Sequence, residues 1–200
     1  MHQVKLIIVG RDGVLNEYRE DHVKAPEEWR SVPGALEAVA RLNHAGWHIV
    51  VATNQAGIGR GMIDMAVVNA VHAHMHRALM ALGGRVDAVF FCPHTPEDAC
   101  DCRKPLPGMM LDIGRRYGVD PADVPMVGDT LRDLQAAAAA GCPPHLVRSG
   151  RAAALDAAAL ERIVEQVPDT RVHRDLAAFA EWMLTRDHVV DSGVGALPAK

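Results

Sequence analysis

Aromatic side chains are scarce: three Trp, two Tyr and three Phe in 200 residues. A core made without them must be filled by Ala, Val, Leu, Ile and Met. No basic block is present and the formal net charge is -4, which excludes a general grip on nucleic-acid phosphates. Any phosphate chemistry must come from a local site. No apolar run approaches the length of a membrane span. The opening Met1-His2-Gln3-Val4-Lys5 leads into an apolar run too short for a secretory signal, with no small-residue cleavage pattern behind it. A cytoplasmic location is expected, with no membrane and no nucleic-acid partner. Cysteines number four, and three of them fall within eleven residues. In a cytosolic chain such clustering argues for metal over disulfides.

What is present is a chain with 49% hydrophobic and 23% charged residues, the composition of a soluble globular protein. One domain over residues 1–186 is expected, with 187–200 as a flexible tail. The pattern alternates strand and helix. Strands are expected at Lys5–Val9, His48–Ala52, Val86–Phe91, Val124–Val127 and Pro144–Val147. Helices are expected at Pro33–Ala45, Asp64–Leu82, Gly108–Tyr117, Leu131–Ala140 and Leu176–Leu184. Arg151–Val167 is Ala-rich and weakly specified. Strands separated by helices imply right-handed crossovers and a three-layer α/β fold around a parallel, Rossmann-like sheet. In such sheets ligands bind beyond the carboxyl ends of the strands. The polar clusters follow the strands accordingly: Arg11-Asp12-Gly13, Thr53-Asn54-Gln55, the Cys/His loop, and Gly128-Asp129.

The sharpest local signal is Cys92-Pro93-His94, five residues, then Cys100-Asp101-Cys102. Three thiolates and one imidazole form a closed tetrahedral set for zinc, with no open position for water. The zinc is therefore expected to be structural. Arg103 and Lys104 follow the last ligand directly, so a zinc-held loop would also aim a guanidinium fork and an ammonium, both suited to phosphate. The plain alternative is a solvated charge pair. Asp12 and Asp129, at the ends of two strands, repel each other unless a cation lies between them, and magnesium suits such oxygen ligands. Taken singly, Asp12 reads as a turn residue and Asp129 as a helix cap. Thr53 and Asn54 offer side-chain donors. Gly57-Ile58-Gly59-Arg60-Gly61 lacks the last glycine of a dinucleotide fingerprint, Met62 standing in its place. The segment reads as a flexible turn with Arg60 as a substrate contact. His72, His74 and His76 read as solvated helix histidines, and Cys142 as a small apolar filler.

In this order, Arg11-Asp12-Gly13-Val14-Leu15-Asn16, Thr53-Asn54-Gln55, Arg103-Lys104-Pro105 and Gly128-Asp129 with Asp133 resemble the haloacid dehalogenase superfamily. The zinc loop narrows the resemblance to the branch of the heptose-bisphosphate and histidinol-phosphate phosphatases. Val14-Leu15-Asn16 and Thr53-Asn54-Gln55-Ala56-Gly57-Ile58 look more like the heptose enzymes. The match runs from about Lys5 to Val147, and Tyr18–Trp29 fits it less well. The resemblance implies a magnesium-dependent covalent phosphatase acting on a small phosphorylated sugar. The step would be loss of the 7-phosphate of D-glycero-D-manno-heptose 1,7-bisphosphate in ADP-heptose and lipopolysaccharide core synthesis, by a monomer with little or no cap domain. Asp12 would be the acid and base, and Thr53 and Lys104 would hold the phosphoryl group. Asp129 and the Asp12 carbonyl would carry magnesium. Asn54, Gln55, Arg60 and Arg103 would contact substrate, and Asp133 would support.

At one position the chain departs from that pattern. The attacking aspartate is expected at residue 10, which is Gly10. Glycine can neither attack phosphorus nor ligate magnesium through a side chain. Asp12 lies about 7 Å further along an extended chain. The expected outcome is a folded, zinc-loaded protein of strongly impaired activity. A protein that binds a phosphosugar without cleaving it is the alternative, and histidinol phosphate the rival substrate.

Overall fold

Strands flanked by helices bury both faces of their sheet, and the short β-branched runs of this chain do so. The computed structural model describes residues 4–191, with side chains as far as residue 186. A six-stranded sheet, parallel at every pairing, runs in the order β3-β2-β1-β4-β5-β6. The strands are β1 (Leu6–Val9), β2 (His48–Asn54), β3 (Ala88–Cys92), β4 (Met126–Gly128), β5 (Pro144–Val147) and β6 (Arg171–His173). Between and after them lie α1 (Ala35–His44), α2 (Ala56–Gly59), α3 (Met65–Met80), α4 (Gly108–Tyr117), α5 (Leu131–Ala140), α6 (Ala157–Gln166) and α7 (Leu176–Asp191).

Side chains alternate across the sheet. Ile7, Val9, Ile49 and Val51 pack with residues of α1, α3 and α7 on one face. Leu6, Ile8, Val50 and Ala52 pack with residues of α4 and α5 on the other. The result is the three-layer α/β arrangement expected. Cys142 is buried in the second of these clusters, as an apolar filler should be. Among the described residues no domain is inserted between the strands, and no helix is long and apolar enough to cross a membrane.

Several expectations change. β2 and β3 run further than the sequence suggests, so Thr53, Asn54 and Cys92 are the last residues of strands. Arg151–Val167 contains α6, whose Leu160 and Ile163 pack on a small cluster of Leu134, Leu146, Ala152 and Val167. β6 pairs Val172 with Leu146 at the sheet edge. Gly57–Gly59 belong to the helical turn α2 rather than to a flexible loop. α7 continues to Asp191, past the expected end at Leu184 and into the segment expected as a tail; residues 192–200 lie outside the described residues.

β1 and β4 are neighbours, and from them the chain proceeds outward in opposite directions. A crevice opens at such a reversal, beyond the carboxyl ends of the two strands. In the register, Val9 faces Val127. Gly10 and Gly128 therefore stand at the mouth of the crevice, with Asp12 and Asp129 just beyond.

Candidate active site and metal centre

Gly10 extends the ladder by one bond, its N–H donating to Val127 O at 2.8 Å. The chain then folds back on itself, with Leu15 N donating to Arg11 O at 2.8 Å and Gly13 N to Asn16 O at 2.7 Å. Gly13 has φ +82°, and a Cβ there would lie 2.1 Å from Asp129 Oδ2. Only glycine lets this turn lie against the Asp129 carboxylate. A cleft of about 280 Å³ opens above, lined among others by Gly10, Asp12, Thr53, Asn54, Lys104 and Asp129. Arg60 and Arg103 also line it.

Asp12 accepts hydrogen bonds from Arg11 Nη2 at 2.9 and 3.0 Å, from Asn16 Nδ2 at 3.0 Å and from Gln55 Nε2 at 2.9 Å. Burial pushes this carboxyl up, but the Arg11 charge and the hydrogen bonds from Asn16, Arg11 and Gln55 outweigh it and hold Asp12 below the ordinary carboxylate range. Gln55 Nε2 also donates to Thr53 Oγ1 at 3.0 Å. Because Thr53 accepts there, its own O–H is left to donate elsewhere. Gln55 is thus buried behind Asp12 and Thr53 and orients them. This corrects its expected place against substrate. Asn54 is likewise tied down: its amide donates to Lys104 O at 3.0 Å and accepts from Lys104 N at 3.1 Å. It staples the segment carrying Arg103 and Lys104 to the tip of β2.

Lys104 is buried, and its Nζ donates to Ala52 O at 2.8 Å and lies 2.6 Å from Asp133 Oδ1. An ammonium has three N–H donors, so one remains for a ligand in the cleft. Asp133 accepts through its other oxygen from the Asp129 and Thr130 backbone N–H and from Thr130 Oγ1. Thr130 and Asp133 form the capping box of α5. Burial pushes Asp133 up, but Lys104 and the Thr130 bonds more than offset this and hold it low. Asp129 fares otherwise. Burial and then the Asp133 charge push its carboxyl up to about 7, against the Arg151 N–H at 2.8 Å and Lys104. A buried carboxylate this poorly neutralised is a place where a cation would bind favourably.

The second cluster lies on the loop after β3. His94 Nδ1 is 3.5 Å from Cys92 Sγ and 3.3 Å from Cys102 Sγ, and Cys92 Sγ is 3.8 Å from Cys100 Sγ. All four ligand atoms lie within 4.8 Å of one another. A tetrahedron with zinc bonds of about 2.3 Å to sulfur and 2.0 Å to nitrogen has edges of roughly 3.5–3.8 Å. The cage therefore fits zinc. Burial, with the neighbouring sulfurs, pushes Cys102 up to about 12, and burial pushes Cys92 up as well. At Cys100 burial is outweighed by hydrogen bonds, the Arg103 N–H among them, which hold it low. A cation among the three favours ionisation of the raised pair. Arg103 Nη1 donates to His94 O at 3.1 Å, coupling the cage to the cleft wall.

All the expected site residues except Gln55 thus line the cleft or the zinc cage, with Gln55 directly behind the cleft. Three features were not anticipated. Arg11 is 2% exposed and forms the floor beneath Asp12. Arg151 crosses the cleft mouth, with its guanidinium over the Tyr18 ring at 4.2 Å and hydrogen bonded to the Tyr18 hydroxyl. His72 is not a solvated helix histidine: its Nε2 lies 3.2 Å from Arg11 Nη1, because α3 packs over the β1 loop. His74 meets the Trp29 ring edge-on at 5.7 Å.

Known proteins resemble this chain in sequence and in fold. A HAD-hydrolase-like family model matches residues 101–179, and a polynucleotide kinase 3 phosphatase model matches residues 12–136. The D-glycero-beta-D-manno-heptose-1,7-bisphosphate 7-phosphatase of Bordetella bronchiseptica is 56% identical over 184 residues, covering 90% of this chain and 98% of that protein. The enzyme of the same description from Pseudomonas aeruginosa is 44% identical, covering 90% and 97%. Among solved structures, the B. bronchiseptica D,D-heptose 1,7-bisphosphate phosphatase complexed with magnesium and phosphate superposes with TM-score 0.84 at 55% identity, covering 91% of this chain and 99% of that one. The phosphatase of the same description from Burkholderia thailandensis gives TM-score 0.67 at 47% identity, covering 90% and 99%. By this likeness across its length, the chain belongs to the family of D-glycero-beta-D-manno-heptose-1,7-bisphosphate 7-phosphatases, within the haloacid dehalogenase-like hydrolases.

Proposed function

We propose that this chain is built to remove the 7-phosphate of D-glycero-D-manno-heptose 1,7-bisphosphate, a step of ADP-heptose synthesis, and that Gly10 has taken away its attacking group. The observation that carries the reading is the convergence of Asp12, Thr53, Lys104 and Asp129 on one cleft beside Gly10. The family's printed activity supports it. A net charge of -4 favours a small sugar phosphate over a polynucleotide.

In this reading the Thr53 hydroxyl and the remaining Lys104 N–H hold the phosphoryl oxygens, and Lys104 offsets their charge. A carboxylate at position 10 would attack phosphorus in line, breaking the bond to the sugar oxygen, which takes a proton from Asp12. Water then attacks the acyl phosphate and gives its proton to Asp12. The Arg11, Asn16 and Gln55 bonds aim Asp12 at both steps. A carboxylate at position 10 would also add a like charge, moving Asp12 toward the protonated form its acid step needs. Asp129 and the Asp12 main-chain carbonyl would hold magnesium, which neutralises charge on the phosphoryl group. The poorly neutralised Asp129 fits that role. The zinc cage does no chemistry; through His94 and Arg103 it fixes the wall against which substrate lies.

Loss of a covalent nucleophile costs on the order of 10⁶ in turnover. The chain as written should therefore bind the bisphosphate without appreciable hydrolysis, the behaviour of a phosphosugar-binding protein. The test is to assay the Gly10→Asp protein on heptose bisphosphate and on histidinol phosphate side by side. Faster release of phosphate from the heptose substrate is expected. Preference for histidinol phosphate, or no release from either, would overturn the assignment.

A further inference from the structure

Arg11 is buried beneath the cleft, and its donors are nearly all committed. Nη2 and Nε donate to Asp12 Oδ1 at 2.9 and 3.3 Å, and Nη1 lies 3.2 Å from His72 Nε2. A guanidinium has no acceptor atom, so Arg11 donates and His72 Nε2 must supply a lone pair. The imidazole is then neutral, with its hydrogen on Nδ1. Burial, and after it the Arg11 charge, push His72 down to about 4; His76 acts in the same sense and Asp12 against it. The ring is accordingly an acceptor throughout the neutral range.

We propose that His72, on α3, is a positioning residue: by accepting from Arg11 Nη1 it fixes the rotation of the guanidinium that grips Asp12. Asp12 is held by three side chains, and Asn16 and Gln55 each reach it through a single N–H. Arg11 alone reaches both carboxylate oxygens. Its plane sets the plane of the carboxylate, and among the described residues His72 is the acceptor on its far side. A helix that touches no substrate group thereby controls the acid and base of the site. Phe91, whose ring centroid lies 6.5 Å from that of His72, borders the imidazole from β3.

The kinetic part of this inference rests on the phosphatase reading; the structural part does not. His72→Gln places Oε1 near the position of Nε2 and keeps an acceptor. His72→Leu removes the acceptor at similar volume. His72→Asn, polar but one bond too short, does the same where leucine disturbs folding. Nitrogen NMR of the Arg11 guanidinium in the full chain, Gly10 included, is expected to show separate Nη signals with His72 and with His72→Gln. Exchange between the two signals should quicken in His72→Leu and His72→Asn, where only the Asp12 bonds still oppose rotation. In the Gly10→Asp protein, His72→Leu should lower kcat by about tenfold or more, within the range seen when such supporting hydrogen bonds are removed, with KM unchanged. His72→Gln should retain most of the rate. Unchanged Arg11 exchange and an unaltered kcat in His72→Leu would overturn the proposal, as would equal losses in the Gln and Leu variants. An inactive Gly10→Asp protein would count against the phosphatase reading alone, because the Arg11 signals still decide the role of His72.

Discussion

A Cβ at position 10 would stand 3.0 Å from Val14 Cγ2 and 3.7 Å from Val127 O. One methyl must yield by a few tenths of an ångström, and the backbone there does not require glycine. Gly10→Asp is accordingly expected to cost no more than about 1–3 kcal/mol, the usual range for modest overpacking; urea unfolding of the two proteins side by side measures it. Thr53→Val keeps shape but removes both the acceptor for Gln55 and the donor for phosphate. A loss of about 1–3 kcal/mol is expected from the orphaned buried donor, together with weaker binding of inorganic phosphate by calorimetry. Asp12, Thr53 and Asp129 were legible in the sequence because each follows or ends a strand in a recognisable order, and Lys104 because it follows the last ligand of the zinc loop. Gln55 was misplaced because motif order does not show that its amide, at the start of α2, is spent on Asp12 and Thr53. Arg11 and His72 were invisible as partners, since 61 residues separate them.

At the level of elements, two staples hold the cleft. Lys104 Nζ and Asp133 Oδ1 form an ion pair with both side chains 7% exposed. Removing one partner of such a pair leaves a buried charge and typically costs about 3–5 kcal/mol. Asp133→Ala should show that loss in denaturant midpoints, aggravated by loss of the α5 capping box. The double change Lys104→Met with Asp133→Leu should recover most of the stability and none of the phosphate binding. The zinc loop is the other staple. Stripping zinc with a chelator should raise hydrogen exchange at residues 93–104 while β1, β2 and β4 stay protected, because one sheet-face core holds no cage residue and the other is built mostly of aliphatic side chains, with Cys92 inside it and Cys100 and Cys102 at its margin. Uniform unfolding on chelation would contradict this. The cage was legible because its four ligands are local in sequence. By contrast α6 and β6 were not, one being Ala-rich with no fully buried residue and the other a three-residue edge strand with two exposed positions.

For the molecule as a whole, folding must keep several histidines neutral. His145 and His173 are buried at the β5–β6 edge, Nδ1 to Nε2 at 2.9 Å, between Phe179 and Trp182. Burial pushes His145 down to about 3, with the His173, Arg171 and Arg186 charges adding to it. Burial, and then Arg171, push His173 down to about 4. Below the ordinary value of 6.5 the unfolded chain binds protons that the folded chain refuses. Stability is therefore full above that value and falls as pH drops toward 4, by up to about 1.4 kcal/mol per pH unit for each histidine. Asp129, pushed up to about 7, works in the opposite sense, but His72 adds to the histidine side and the three histidines together outweigh the one carboxyl. Urea midpoints taken from pH 7 to pH 4.5 should decline, and a flat or rising profile would contradict the burial of these rings. The sheet and its helices were legible from periodicity; the closing edge was not, because its histidines read as polar until packed against aromatic neighbours.

The central claim is that this cleft transfers a phosphoryl group through position 10 and lacks only the carboxylate there. Its most direct measurement is acid quenching of the protein with bisphosphate radiolabelled at the 7-phosphate, followed by mapping of the label. The account predicts a covalent phosphoryl group on the introduced carboxylate of the Gly10→Asp protein and none on the chain as written. Label on another residue, label on the chain as written, or turnover by that chain at an ordinary enzyme rate would contradict it.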